Sequence, residues 1–294
     1  MNLFQTVTGT TKRRRRLTDG ARHVVLICIS LIVLLPLAWM VASSLKSNSA
    51  IFVYPPQLVP SHPKFDNYRK AFDYIPFWLY FRNSVIVSAA TICGILFSCV
   101  PAAYAFSILR WRGRDLVFFV VLAGIMLPFQ VLMVPLYVIY RDLHFLGTLL
   151  PLIVPPFFGQ YIASAFSASL AIFLLRQFFR SLPGELIDAA RIDGAGDWSI
   201  LFRVVIPVAK GGLITVTLFS FLSSWTDFLA PLIFLNKGSL FTLSLGLQQY
   251  QSLHFTAFNY LMAAAFVFAL QVLLAFIFAQ RFFVEGIALT GLRG

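Results

Sequence analysis

Long apolar runs, almost free of charge, set the limits on what this chain can fold into. Val24 to Ala42 contains no charged residue, and comparable runs cover about Ser84–Leu109, Leu116–Tyr140, Tyr161–Phe179, Gly212–Leu235 and Tyr260–Phe278. A helix needs about 20 consecutive apolar residues to cross the hydrocarbon of a bilayer. Six runs of that kind predict an all-α integral membrane protein with six transmembrane helices. Charge agrees: 12% of residues are charged, against about 25% in soluble domains. The net charge of +12 raises the option of nucleic acid. The basic residues cluster at the ends of apolar runs, however, where membrane topology places them, so no nucleic-acid partner is expected.

The interruptions are as informative as the runs. Residues 1–22 form a basic tail with Lys12 to Arg16 in one block. The run after it is too long for a signal-peptide core and has no small-residue cleavage pattern behind it, so it reads as the first span. Lys46–Arg82 holds Pro55, Pro56, Pro60, Pro63 and Pro76, which exclude one continuous helix. Along span two, Ala90, Gly94, Ser98 and Ala102 recur every four residues, a small-residue stripe that permits close packing in lipid. Pro128 and Pro135 predict bends in span three. Leu149–Phe158 is apolar but too short to cross, and Pro155-Pro156 breaks it, so it is expected at the outer membrane surface.

Orientation follows from Lys and Arg. With the N-terminus inside, 16 of the 23 basic residues fall on the inner side and 7 on the outer, the bias of a cytoplasmic N-terminus. The loop Ser181–Pro207 then faces the cytoplasm. The domain plan is a tail (1–22), a transmembrane body (23–283) with that loop at 181–207, and a cytoplasmic C-terminal tail (284–294).

That loop, SLPGELIDAARIDGAGDWSILFRVVIP, reads as two short helices. Pro183 suits the first turn of a helix. Gly194, Ala195 and Gly196 stop it, and Asp197 can cap the second. Trp198, Leu201, Phe202 and Val205 fall at i, i+3, i+4, i+7, the spacing of one apolar face. Glu185 and Asp188 put two like charges on one face beside Ala189 and Ala190, a surface suited to a cationic partner. The plainer alternative is a solvated helix in which Asp188 pairs with Arg191.

Here the chain resembles the cytoplasmic Glu-Ala-Ala signature of ABC importer permeases. It carries Asp188-Ala189-Ala190, Gly194, Val204 and Ile206-Pro207 at the signature's spacing, with Asp for Glu, Val for Ile and Ile for Leu. The stretches Phe173–Pro183, Trp225–Leu232, Leu261–Ala265 and Gln280–Ile287 are similar to the carbohydrate-uptake branch, in particular its maltose-permease G-type subunit. The resemblance runs from about Val24 to the C-terminus. It implies half of a pore for a sugar or related small polar solute, a second homologous permease subunit, a pair of ATPase subunits inside that hold ATP and Mg, and an external solute-binding protein. It implies ATPase docking by Glu185, Asp188, Ala189, Ala190, Arg191, Gly194 and Pro207. Thr242–Leu247 resembles the family's external loop near the binding protein.

No catalytic constellation is present. The sequence lacks the P-loop pattern G-x-x-x-x-G-K-[ST], so this chain is not itself the ATPase and is not expected to bind a cofactor. Cys28, Cys93 and Cys99 lie in apolar runs as small apolar residues. The four histidines are scattered without ligand spacing, so no metal site is expected. Asp227 is the one carboxylate placed within a span, and an intramembrane acid costs roughly 2.5–3.5 kcal/mol on insertion scales. Two readings follow: a place with Trp225 and Gln130 beside the translocation path or a gate, or a structural hydrogen bond. A stand-alone proton-coupled transporter using Asp227 is the competing functional class.

Overall fold

The computed structural model describes residues 4–160, 166–251 and 256–291, with side chains at 20, 22–160, 166–251 and 256–281. Among the described residues the chain is helical, with no β-strand. The principal helices are α1 (Phe4–Ser44), α2 (Phe77–Ser107), α3 (Arg114–Ala123), α4 (Phe129–Asp142), α5 (Ala168–Arg180), α6 (Gly184–Ile192), α7 (Asp197–Val208), α8 (Lys210–Thr226), α9 (Leu229–Phe234) and α10 (Phe258–Gly291). Three stretches are long and apolar enough to cross a bilayer: Arg22–Ser44, Phe77–Ser107 and Phe258–Arg281. Two sharply bent pairs, α3 with α4 and α7 with α8, raise the number to five if each counts as one span. The chain is thus a multi-pass membrane protein.

The chain forms two compact units. One holds the chain up to Ala71 together with the segment ending at Phe266; the other runs from Phe72 to Leu253 and resumes at Val267. In the first unit, residues 22–36 of α1 are all exposed, so this stretch meets lipid or another chain. Asparagines tie its far end. Asn67 donates through Nδ2 to the carbonyls of Ser44 and Lys46, at 2.8 and 2.7 Å, and accepts from Asn259 at 3.3 Å. Asn48 donates to Thr256 O and accepts from Phe258 N–H, each at 3.0 Å. Such bonds satisfy backbone groups that a proline-rich connection leaves without a ladder.

In the second unit α2 is the axis, and α5 and α8 pack along it. The expected bends fall partly where the prolines are. Leu127 is extended because a residue before proline is driven out of the helical region, and the chain turns by 97° between Met126 and Phe129. Pro135, expected to bend, lies inside an unbroken α4. A second bend of 81° falls at Ala209, between α7 and α8. The run expected as one span over Gly212–Leu235 is split, because α8 ends at Thr226 and Asp227 is extended.

Leu149–Phe158 departs from expectation. Instead of lying at a surface, its turns Leu150–Ile153 and Pro155–Phe158 are packed against the middle of α2, with Pro151, Leu152, Pro155 and Pro156 buried. Prolines have no N–H to leave unpaired, which makes this irregular segment inexpensive to bury. Its carbonyls are occupied: Ser98 Oγ donates to Pro156 O at 2.8 Å, and Gln160 N–H to Pro155 O at 3.0 Å. The small-residue stripe therefore serves this turn. A Cβ on Gly94 would stand 2.8 Å from Pro156 Cβ and 2.9 Å from the Phe157 backbone nitrogen. Span four was expected from Tyr161; residues 161–165 lie outside the described residues, and α5 begins at Ala168 with Ser167 Oγ accepting from Leu170 N–H.

Gly94→Val should lower the unfolding midpoint of the purified protein, by the ~1–3 kcal/mol typical of overpacking. Gly238→Ala, which meets nothing within 4 Å, should leave it unchanged.

Candidate functional site

The loop between α5 and α8 has two unlike faces. On α6, Glu185, Asp188, Ala189 and Arg191 are exposed, Ala190 is half-buried, and Ile187 is buried in the apolar core. Asp188 and Arg191 approach at 3.8 Å, both largely exposed, and such a pair contributes ~0–1 kcal/mol. Burying one aliphatic side chain contributes ~1.5–3 kcal/mol. Ile187, rather than the ion pair, therefore seats α6. The local pairing weighed from the sequence exists, but it leaves both acids accessible.

Gly194 takes φ +79°, a conformation that side chains rarely adopt, and it reverses the chain as expected. Pro183 stands one residue before α6 rather than inside it. Asp197, expected as a cap, is the first residue of α7, and Gly196 holds the cap position. The Asp197 carboxylate is used otherwise: Tyr104 Oη donates to its Oδ1 at 3.1 Å, tying the end of α2 to the loop. The apolar face expected on α7 is also redrawn. Leu201–Val205 forms a π-turn, which shifts the register, so that Ile200, Leu201 and Val205 are buried. Trp198 and Phe202 stack on each other at 6.1 Å and stay 65% and 59% exposed. Ile192 is 86% exposed. Pro207 lies in the last turn of α7, just before the bend.

Below the loop the core is continuous. Ile187, Ile200, Leu201 and Val205 share one cluster with Ile95, Cys99 and Phe106 of α2, Leu175 and Phe179 of α5, and Val216 of α8. Displacing the loop displaces three helices, because close-packed interiors transmit strain.

The second feature is a small cavity of about 40 Å3. Asp227, Ser224, Thr91 and Gln160 supply polar groups on its wall, with Phe129, Tyr140 and Phe234 among the apolar ones. Asp227 is buried and works as a cap: Oδ1 accepts from Ala230 N–H at 3.3 Å in the first turn of α9. Its own carbonyl accepts from Ser244 Oγ at 2.5 Å. Thr91 Oγ1 is buried without a hydrogen-bond partner among the described residues. Trp225 and Gln130 are not brought to this wall. Trp225 is buried between Phe221 and Phe268 and donates Nε1–H to Phe268 O at 3.2 Å. Gln130 is exposed on α4, whose cavity face is Phe129, Leu136 and Tyr140. Thr91 and Gln160 went unnoticed in the sequence, since a lone threonine or glutamine in an apolar run carries no periodic signal.

The stretch Thr242–Leu247 is largely buried. Leu243 N–H donates to Ser84 Oγ at 2.8 Å, Asn83 donates to the carbonyls of Ser239 and Phe241, and a Cβ on Gly246 would stand 2.3 Å from the Tyr80 ring. Gln248 and Gln249, just after it, are exposed.

Residues 90–287 match the family model described as "Binding-protein-dependent transport system inner membrane component". The diacetylchitobiose uptake system permease protein NgcG of Streptomyces coelicolor is 35% identical over 88% of this chain and 84% of its own length. The arabinooligosaccharides transport system permease protein AraQ of Halalkalibacterium halodurans is 31% identical over 90% and 93%. Among solved structures, a chain of a bacterial ABC transporter involved in the import of the acidic polysaccharide alginate shares the fold. Its TM-score is 0.77 at 24% identity, with 92% of this chain and 98% of that one covered. The chain therefore belongs to the family of binding-protein-dependent transport system inner-membrane components, the permease subunits of ATP-binding-cassette importers.

Two outcomes test the site's internal logic. Ile187→Ala should speed amide exchange at 185–194 at least tenfold, the consequence of losing ~2 kcal/mol or more of core contact, while Arg191→Ala should change it only slightly. Asp227→Asn keeps an acceptor for Ala230 N–H and should retain stability, whereas Asp227→Ala should lose ~1 kcal/mol, read as the unfolding midpoint.

Proposed function

We propose that this chain is one of two homologous permease subunits of an importer for an oligosaccharide or related small polar solute. The solute is delivered by an external binding protein, and import is driven by a pair of cytoplasmic ATPase subunits. ATP and Mg are held by those subunits; this chain binds no cofactor. The permease names of the relatives, for diacetylchitobiose and arabinooligosaccharides, support the solute class. A second solved neighbour, similar in fold at TM-score 0.63 and 14% identity, is a bacterial alginate ABC transporter in complex with alginate pentasaccharide-bound periplasmic protein. The exposed α1 supports a second subunit, since a lone apolar helix in lipid gains its position by packing.

The observation that carries the reading is the two-faced α6–α7 loop. Its outer face offers Glu185, Asp188 and Ala189 together with exposed Ile192, Trp198 and Phe202, while its inner face is continuous with the core. Six spans with both termini cytoplasmic place this loop, 181–207, inside. Glu185 and Asp188 are the polar anchors, Arg191 orients Asp188, Ala189 and Ala190 allow close approach, Gly194 sets the turn, and Pro207 ends the lever. ATPase closure moves α6 and α7 as a lever on α2, α5 and α8, and favours one packing of the spans over another. Asp227 and the cavity beside it lie along the translocation path or its gate, with Trp225 as packed support and Gln130 facing outward toward a partner.

Purified with its partner subunits, Asp188→Lys or Gly194→Pro should lose co-purifying ATPase while the chain remains in the membrane. A retained complex with full uptake would falsify the docking. Transport by this chain alone, abolished by an uncoupler and indifferent to ATP, would favour the proton-coupled alternative at Asp227.

A further inference from the structure

At the junction of α2, α3 and α5 lies a surface cleft of about 440 Å3, lined by Arg114, Asp115, Phe118, Phe119, Leu122, Arg176 and Arg180. Three guanidiniums and one carboxylate leave it with two positive charges in excess. The charges are not equally spent. Asp115 is the one acid and takes Arg114 Nε and Arg176 Nη2, each at 3.2 Å. Arg176 is largely buried, donating Nε–H to Phe106 O at 3.0 Å, with its guanidinium 4.0 Å from the Phe118 ring centre. These contacts use one edge of the guanidinium. Among the described residues its Nη1 has no hydrogen-bond partner, and Arg180, exposed at the C-terminal end of α5, has no ion pair.

The cleft's other wall is apolar and faces outward. Phe119 is 71% exposed and Leu116, just below, 72%. A cationic pocket beside exposed aromatic and aliphatic side chains at the end of membrane helices matches an amphiphile with an anionic head and an acyl tail. A soluble anion would leave Phe119 and Leu116 unused. The volume lies within the ~300–1,000 Å3 of small-molecule sites, which is ample for one head group. Arg180 is free to fork onto phosphate oxygens, the geometry that favours arginine for this task; Arg114, held by Asp115 Oδ1 and by Leu109 O, each at 3.2 Å, has Nη2 left to add a single bond.

We propose that this cleft binds the phosphate of an anionic phospholipid, with Arg180, Arg114 Nη2 and Arg176 Nη1 as ligands and Phe119 and Leu116 against the upper acyl chain. The site joins the start of α3 to the end of α5, one residue before the segment that leads into α6. A bound lipid holds the base of the docking loop. From the proposed function the inference borrows only the inner leaflet as the place of binding, so a failed import assay leaves the binding measurement intact.

The experiment is native mass spectrometry of the full chain in detergent, titrated with phosphatidylglycerol, phosphatidylcholine or inorganic phosphate. Wild type should retain phosphatidylglycerol and not phosphatidylcholine. Arg180→Gln should weaken retention about fivefold, and Arg114→Gln with Arg180→Gln about twentyfold, from the contribution of each basic side chain near a charged lipid. The doubly substituted Arg110→Gln, Arg112→Gln control, on the same loop but outside the cleft, should bind as wild type does. Equal retention by the cleft variants, or equal loss in the control, overturns the site. Displacement of phosphatidylglycerol by millimolar phosphate would make it a free-anion site and overturn the lipid. Arg180 makes no ion pair among the described residues, so its removal does not endanger the fold.

Discussion

A backbone in lipid has no water to satisfy it, and each break in this structure is shaped by that constraint. Long unbroken helices meet it alone. Where the chain breaks, another group has to close the account. Ser98 reaches Pro156 O and Gln160 N–H reaches Pro155 O in the turn against α2. The gap between α8 and α9 is closed by Asp227 on Ala230 N–H and by Ser244 on the Asp227 carbonyl. Ser98, Gln160, Asp227 and Ser244 are thus polar residues set where a break needs a partner.

The same economy explains how the α6–α7 loop is rooted in the helices beyond it. The loop adds no domain of its own. Ile187, Ile200, Leu201 and Val205 extend the core of α2, α5 and α8 outward, and Tyr104 closes the seam on Asp197. The bend at Ala209 then directs α8 back along α2. Gly212 fits here because a Cβ would stand 2.5 Å from the Phe178 ring. In the proposed function this rooted loop with an exposed outer face is the lever, and it transmits displacement without any chemistry of its own.

Much of this was legible in the residues. Apolar runs located the long helices, Gly194 located the turn, and the charged residues of 185–191 marked a face that the structure leaves exposed. What failed, failed for physical reasons. Period-3.6 counting put Trp198 and Phe202 with Leu201 and Val205, but a π-turn lengthens the repeat and turns the first two outward. Short length and the Pro155-Pro156 break put Leu149–Phe158 at a surface, because neither registers that prolines carry no N–H to satisfy. Asp227 read as an acid in mid-helix, because the break that makes it a cap is set by tertiary partners. Asn48, Asn67 and Asn83 gave no signal at all, since a backbone staple requires only one amide at the right place.

The hydroxyls left over bear on motion. Ser88 and Thr91 on α2 and Ser220 on α8 are buried with no partner among the described residues, and an unsatisfied buried polar group costs ~1–3 kcal/mol. A helix pair fixed in one packing gains nothing by keeping them. A pair that alternates between two packings can satisfy such groups in one and strand them in the other, which brings two states within a few kcal/mol. Thr91 lies on the same cavity wall as Asp227, at the break between α8 and α9. A shift of α8 driven from the α6–α7 loop would change that wall first. Both α2 and α8 reach from the loop's core to the cavity wall, so in the proposed function the cavity is where movement of the loop and passage of a solute are coupled.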